Sequence, residues 1–442
     1  MLIILLWAPI FCNAQYTWHA LPAAPISWRF DDIYFVNPQM GWAINANYDY
    51  LSPNQYGRIF KTTDGGNTWQ KLKDSANTFF RSVGFADSLT GWVGNLADTI
   101  DTNSLGIPIT SDTIPLYQTN DGGITWNPAV LPNPHPAGIC GISVVTDSIV
   151  YAYGRFYGPA GYVKTTDKGT TWVFTDMNSM AIGLVDGHFF GPDTGFITGM
   201  GTDHKAIILS TTDGGATWNY CYHSTGSDTD EVWKIFFPSR NIGYASIEYQ
   251  GRTYPYSSNW YLKTTDGGLT WVENPFIAPY DEEGIGFIND SVGWIGGDFR
   301  QHTYKTTDGG NSWAIDFTFG VETPPYSFGD PGFFINRFRS VGPDLMYASG
   351  NTIYKLNLPA TGIEEAQNEA QNINNYPNPA TTDFTITAQN LINQIIITNV
   401  LGQTVYTHHY NNKQVQINVA NLRSGVYFMK VNGSEVRKFV KE

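Results

Sequence analysis

The chain is poor in cysteine, in basic residues and in long apolar runs. Three cysteines occur in 442 residues, and Cys12 falls in the first apolar stretch. Cys140 and Cys221 could form one bond at most. Their places in the strand pattern, inner and outer, predict two free buried thiols. Lys and Arg number 25 against 39 Asp and Glu, a net charge of −14. That balance argues against nucleic acid, whose affinity comes from neutralising phosphates. Only the first residues approach a membrane-type run, so no transmembrane segment is expected once they are removed. The chain has no phosphate-cradling Gly loop, no His-Glu-x-x-His, no Cys-x-x-Cys and no Gly-x-Ser-x-Gly. Nucleotide hydrolysis, zinc proteolysis and the serine-hydrolase elbow are therefore unsupported. No cofactor and no metal site is expected.

What the chain has is a repeat. Thr62-Thr63-Asp64-Gly65-Gly66-Asn67-Thr68-Trp69 returns around Asp121, Asp167, Asp213, Asp266 and Asp308, each followed by a tryptophan five residues on. An apolar-alternating run precedes each copy and a shorter one follows. Strand, Asp-Gly-Gly turn, strand is a hairpin signal, and its period of roughly 40 to 60 residues indicates blades or solenoid units. Aspartate can accept N–H bonds inside the turn, glycine permits positive φ, and tryptophan supplies an apolar anchor. Six calcium sites would need alternating carboxylates that the motif lacks. A second signal accompanies each repeat: Gly41-Trp42, Gly91-Trp92, Val150-Tyr151, Gly195-Phe196, Gly243-Tyr244, Gly293-Trp294 and Met346-Tyr347. These pairs predict packing between blades. The pattern gives an all-β fold: a β-propeller of about seven four-stranded units over residues 15–358. The strand near Trp18 lacks a box before it and the strand near Tyr354 lacks one after it. Together they should complete the last blade and close the ring.

The motif resembles the Asp box (BNR repeat), Ser/Thr-x-Asp-x-Gly-x-x-Trp, of sialidases, sortilin-type receptors and assembly factors of the Ycf48 type. In those families the box is a structural turn away from the reacting centre. A sialidase would need an arginine in a Phe/Tyr-Arg-Ile-Pro segment, and Trp28-Arg29-Phe30-Asp31 departs from it. The Ycf48 family uses an arginine patch, which this acidic chain does not match.

The remaining segments set the organisation. Residues 1–14 read as a secretory signal peptide with Gln15 as the mature start. Residues 359–373 are polar and acidic, without strand pattern, and read as a linker. Residues 374–442 alternate as short strands and read as a small Ig-like β-sandwich. Tyr376-Pro377-Asn378-Pro379, Asn399-Val400-Leu401-Gly402-Gln403 and Leu422-Arg423-Ser424-Gly425-Val426-Tyr427 resemble, in order, the type A C-terminal sorting domain of the type IX secretion system. The resemblance implies recognition by that machinery and export to the medium or outer surface of a Gram-negative cell, through the periplasm.

Loops opposite the Asp boxes differ most between units and are the expected binding face. Glu248, Arg252, Tyr254, Tyr256 and Trp260, with Asp298 and Arg300 from the next unit, form one candidate site. The aromatics could stack on sugar rings, or pack the loop against its own blade. Aligning each inner strand on its Gly-aromatic pair puts Asp31, Arg81, Trp233, Glu283 and, with a one-residue gap, Arg337 at equivalent positions, expected to ring the channel mouth. Surface acids are too common for any pair to stand out as catalytic. The leading reading is a non-catalytic secreted or cell-surface module that binds a glycan or protein. The alternative is an extracellular glycoside hydrolase.

Overall fold

The computed structural model describes residues 16–27, 29–47, 56–97, 112–226, 229–250, 259–278, 281–297, 302–319, 335–358, 374–399, 403–432 and 435–442. Residues 16–358 form one compact unit, and the C-terminal residues belong to another.

The first unit is a seven-bladed β-propeller of four-stranded antiparallel sheets. Blade 1 comprises Phe30–Phe35, Gly41–Asn47, Tyr56–Thr62 and Gln70–Ala76, from the inner strand outward. Blades 2 to 6 repeat this order, with inner strands Phe80–Phe85, Gly141–Val144, Ala181–Phe189, Thr229–Phe236 and Glu282–Phe287. Blade 7 joins Arg337–Ser340, Met346–Ser349 and Ile353–Asn357 to the N-terminal strand Thr17–Ala20. The register sets Trp18 opposite Leu356 and Ala20 opposite Tyr354. The ring is closed as the orphan strands indicated. Trp18 is 3% exposed and packs edge-on to Trp294 at 5.2 Å.

Each Asp box closes the hairpin between third and fourth strands. In the first, the Thr62 hydroxyl donates to Asp64 Oδ1 and accepts from the Gly66 amide, both at 2.8 Å. Asp64 also accepts from the Thr68 amide and hydroxyl, at 2.9 and 2.6 Å. Gly65 and Gly66 sit at φ of 69° and 91°, where a side chain would be strained. The third box carries Lys168 at φ 61° in place of the first glycine. These bonds hold the carboxylates of Asp121, Asp167, Asp213 and Asp266 down to about 2, and those of Asp64 and Asp308 below the usual range.

The boxes also join the blades. The Gly122 carbonyl of blade 2 accepts from Trp42 Nε1 at 3.1 Å and Lys61 Nζ at 3.0 Å, both in blade 1. The Gly214 carbonyl accepts from Tyr151 and Lys164, each at 2.7 Å. Gly309 accepts from Tyr244 and Lys263, and Gly65 accepts from Tyr347 of blade 7. The same aromatics stack on the inner-strand phenylalanine of the next blade. Trp42 lies 3.5 Å from Phe85, Tyr244 lies 3.7 Å from Phe287, and Tyr347 lies 4.1 Å from Phe35. The box tryptophan then meets that phenylalanine edge-on, as Trp69 meets Phe35 at 86°. The Gly-aromatic pairs are thus inter-blade contacts, as expected. The lysine before the box was not anticipated as their partner.

The C-terminal unit is a β-sandwich built from one bent five-stranded sheet. The sequence suggested separate short strands at 384–387 and 394–398, and again at 403–406 and 415–419. Each pair is fused into one long strand, Asp383–Asn399 and Thr404–Asn418. Register shifts between Thr387 and Gln394 let the sheet bend without losing its pairing. Its core holds Phe384, Ile395, Ile397, Met429 and Phe439.

Two outcomes test the ring. Tyr151→Phe should cost about 1 kcal/mol in urea unfolding, because Lys164 still satisfies the Gly214 carbonyl. Adding Lys164→Met leaves that carbonyl without either donor, so the double variant should cost more than the sum of the single changes. Strict additivity would contradict a shared acceptor. At the closure, Trp18→Ala should cost about 3–5 kcal/mol. An unchanged melting temperature would show that the N-terminal strand does not close the ring.

Candidate functional site

The inner strands run from the loop face toward the Asp-box face, and those of blades 1, 2, 4, 5 and 6 carry β-bulges. Register shifts fall at Asp31, at Arg81, at Trp233 and at Glu283. A bulge turns an additional side chain toward the axis. Four of the five residues aligned from sequence therefore sit at bulges. All are buried, with exposures of 3 to 6%, so they lie within the channel rather than around its mouth.

They pair with one another. Asp31 accepts from Arg29 Nε at 2.7 Å and from Arg81 Nη1. Arg29 grips Glu283 with two bonds, at 3.0 and 3.1 Å. Trp233 Nε1 donates to Glu283 Oε2 at 2.7 Å, and the Arg81 guanidinium lies 5.0 Å from the Trp233 ring centroid. Burial opposes ionisation of Glu283, but the guanidiniums of Arg29 and Arg81 outweigh it and hold the carboxyl below its usual range. Cys140, Val185 and Trp233 supply the apolar side of this layer. Cys140 and Cys221 are both free; Cys140 is buried and Cys221 half-buried.

Arg337 belongs to a second layer. It lies nine residues before Met346, as Asp32 lies nine before Gly41 and Asp186 nine before Gly195. The one-residue gap allowed for it is unnecessary. Arg337 donates to Asp186 at 2.8 and 3.1 Å, and its Nε lies 3.1 Å from Asp32. Asp32 also accepts from Arg339 Nη2 at 3.3 Å and the Val83 amide at 3.1 Å. Asp186 accepts from the Ile235 amide at 3.2 Å. Each aspartate thus ties its own blade to the next. Sequence reasoning considered Asp32 only as one of several possible glycosidase carboxylates and did not place it or Asp186 in the channel, although their shared offset was available as a signal.

Glu231 is different. It is fully buried, and neither carboxylate oxygen has a hydrogen-bond partner. Burial pushes its pKa well above the ordinary glutamate value, against the pull of Arg81 and Lys234. Burial thus favours the neutral acid over the carboxylate.

On the loop face, Arg252, Tyr254, Tyr256, Asp298 and Arg300 lie outside the described residues. Glu248 is half-buried and sits across the ladder from Glu231. Trp260 is half-buried and packs against the cluster that contains Phe196, Tyr222 and Trp271. Its ring is engaged in blade packing. Among the described residues, no group of three or more His, Cys, Asp or Glu side chains is arranged to hold a metal ion.

Comparison with known proteins separates the two units. Residues 374–442 match the family described as the secretion system C-terminal sorting domain. The chain carries a type IX sorting domain, which implies export to the cell surface or beyond. No curated protein matches the sequence. Among solved structures, Ycf48 from Cyanidioschyzon merolae is similar at 16% identity and a TM-score of 0.53, over 77% of this chain and 99% of that one. A Ycf48 bound to a D1 peptide gives 16% and 0.52, over 77% and 96%. The GH74 xyloglucanase of Xanthomonas campestris gives 11% and 0.54, over 85% of this chain and 60% of that one. At these identities the likeness concerns the fold alone.

Two buried glutamates should respond in opposite ways. Glu283→Gln leaves Asp31 alone to balance the guanidiniums of Arg29 and Arg81, and should cost about 3 kcal/mol. Glu231→Gln should be tolerated. A carboxyl whose folded pKa is raised contributes stability below its unfolded pKa, and loses it as pH rises toward the folded value. The wild type therefore loses up to about 1.4 kcal/mol per pH unit above the ordinary glutamate value. Urea midpoints at pH 5 and pH 8 should show Glu231→Gln gaining on wild type as pH rises. Parallel midpoints would show that Glu231 is ionised.

Proposed function

We propose that the chain is a secreted or surface-displayed binding module, exported by the type IX machinery through residues 374–442, whose propeller holds an extracellular glycan or protein without turning it over. Residues 1–14 serve as the signal for passage into the periplasm. The observation that supports the non-catalytic reading is the state of the channel's acids. Asp31, Asp32, Asp186 and Glu283 are each committed to an arginine, and Glu231 is enclosed. Hydrolysis of a glycoside needs a pair of carboxyls with access to the bond. Paired, buried carboxylates instead give a rigid ring, and its loops are left to do the binding. The loop of residues 248–260, with Asp298 and Arg300, is the candidate surface on the face opposite the Asp boxes.

The test has two arms. Deleting residues 374–442 should hold the protein in the periplasm, as seen by fractionation; arrival outside at wild-type levels would exclude the export reading. The purified propeller should retain ligands on a glycan array and leave a polysaccharide panel unhydrolysed. Turnover of any polysaccharide would overturn the non-catalytic reading in favour of a hydrolase.

A further inference from the structure

The channel is not alike at its two ends. Its waist is filled by the paired layers around Asp31 and Arg337. Beyond them, toward the Asp-box face, a cavity of about 270 Å³ opens. Its lining includes a third layer, seven residues before the Gly-aromatic pair: Tyr34, Ser143, His188, Phe236 and Arg339. A neighbouring cleft of about 580 Å³ runs outward between blades 5, 6 and 7, and shares Phe236, Phe237 and Ser340 with the cavity.

The chemistry of this layer is specific. Its charges cancel locally. Arg337 is paired with Asp186, and Arg339 bonds Asp32 and the Ile33 carbonyl. An anion or a cation entering here would find no uncompensated partner to repay its desolvation. Burial lowers the His188 pKa to about 4, so the imidazole is neutral and offers one donor and one acceptor. Its ring is fixed at 4.9 Å from both Phe190 and Phe237. Ser340 adds a hydroxyl, whereas that of Ser143 is taken up by the Gly187 carbonyl and the Tyr153 hydroxyl; Phe236 adds a half-buried ring, and Tyr34 another that carries the Arg339 guanidinium 5.1 Å from its centroid. Aromatic surface beside a few electrically neutral donors and acceptors, the His188 nitrogens and the Ser340 hydroxyl, suits a ligand that is apolar on its faces and hydroxylated on its edges. That describes a pyranose.

We propose that the Asp-box end of the central channel is a binding site for an uncharged sugar, with one residue seated in the cavity and the following residue in the cleft. This inference rests on the glycan-binding reading of the propeller, but places a site on the face opposite the variable loops. Ser340 stands at the junction of the two spaces. It is exposed, and its hydroxyl only donates to the Gly342 carbonyl at 2.9 Å.

The experiment uses the full chain, with methyl glycosides of glucose, galactose and mannose, their disaccharides, and methyl glucuronide, measured by saturation-transfer NMR and calorimetry. Ser340→Trp should block the junction and weaken disaccharide binding at least about tenfold with an unchanged melting temperature. His188→Phe keeps the ring contacts, removes the nitrogens, and should weaken the monosaccharide similarly. Neutral-sugar binding untouched by both variants, but lost when Tyr254 and Tyr256 are changed to Ala, would overturn this site and leave the functional reading intact. Preference for the glucuronide would overturn the neutral-ligand assignment. Failure of every sugar to bind the wild type would overturn this site and the glycan arm of the function together.

Discussion

One acceptor recurs around the propeller: the carbonyl of the first glycine in the Asp boxes of blades 1, 2, 4 and 6. The box bends so tightly that this carbonyl turns away from its own hairpin. It becomes available to the preceding blade, whose second-strand aromatic and pre-box lysine both donate to it, as at Gly122, Gly214 and Gly309. A buried carbonyl left without a donor is costly, so the contact specifies the spacing of neighbouring blades. The lysine also lies over the aromatic ring that shares its acceptor, at 5.0 to 5.6 Å for Lys61, Lys164 and Lys263. Where the pattern lapses, other groups substitute. Blade 7 has no box of its own; Lys305 donates instead to the Tyr16 carbonyl and Trp294 to Asp316. In the third box, Lys168 replaces glycine, and its ammonium reaches back to Asp87 of blade 2.

With the rim latched in this way, the axis is free to carry chemistry that blade packing does not require. It carries charge of both signs, mostly on bulged strands. The bulges matter because a regular strand presents every second residue to the axis. An extra residue lets two successive layers, Asp31 and Asp32 for example, both contribute. The resulting network spans the ring: Arg29 and Glu283 are 254 residues apart, and Arg337 and Asp186 are 151 apart. Such pairs are weak evidence for stability taken singly. Their effect here is to tie blades 1, 2, 4, 5, 6 and 7 to a common centre, and to leave the Asp-box end of the channel electrically neutral.

The sorting domain meets a different constraint. It must form a stable core in a short segment at the chain end. It does so with two long strands that bend, so that one continuous sheet supplies both layers of the sandwich. Bending through register shifts keeps the ladder paired where separate strands would each need a connection.

Much of this architecture is written locally. A hairpin with its Asp-Gly-Gly turn is decided within about ten residues, so the boxes, the blade count and the closing strand near Trp18 follow from the repeat alone. The sorting domain likewise shows in its ordered motifs. The channel does not. Alignment on the Gly-aromatic pairs brought Asp31, Arg81, Trp233 and Glu283 to one level because they share a chain offset. It could not say that they bond one another, nor that Arg337 falls one layer lower with Asp32 and Asp186. Those contacts join strands from opposite ends of the sequence, and they exist only once seven blades have curled into a ring. Periodicity along the chain determined the units. Which side chain faces which across the axis was decided by closure, because only closure sets the distance between them.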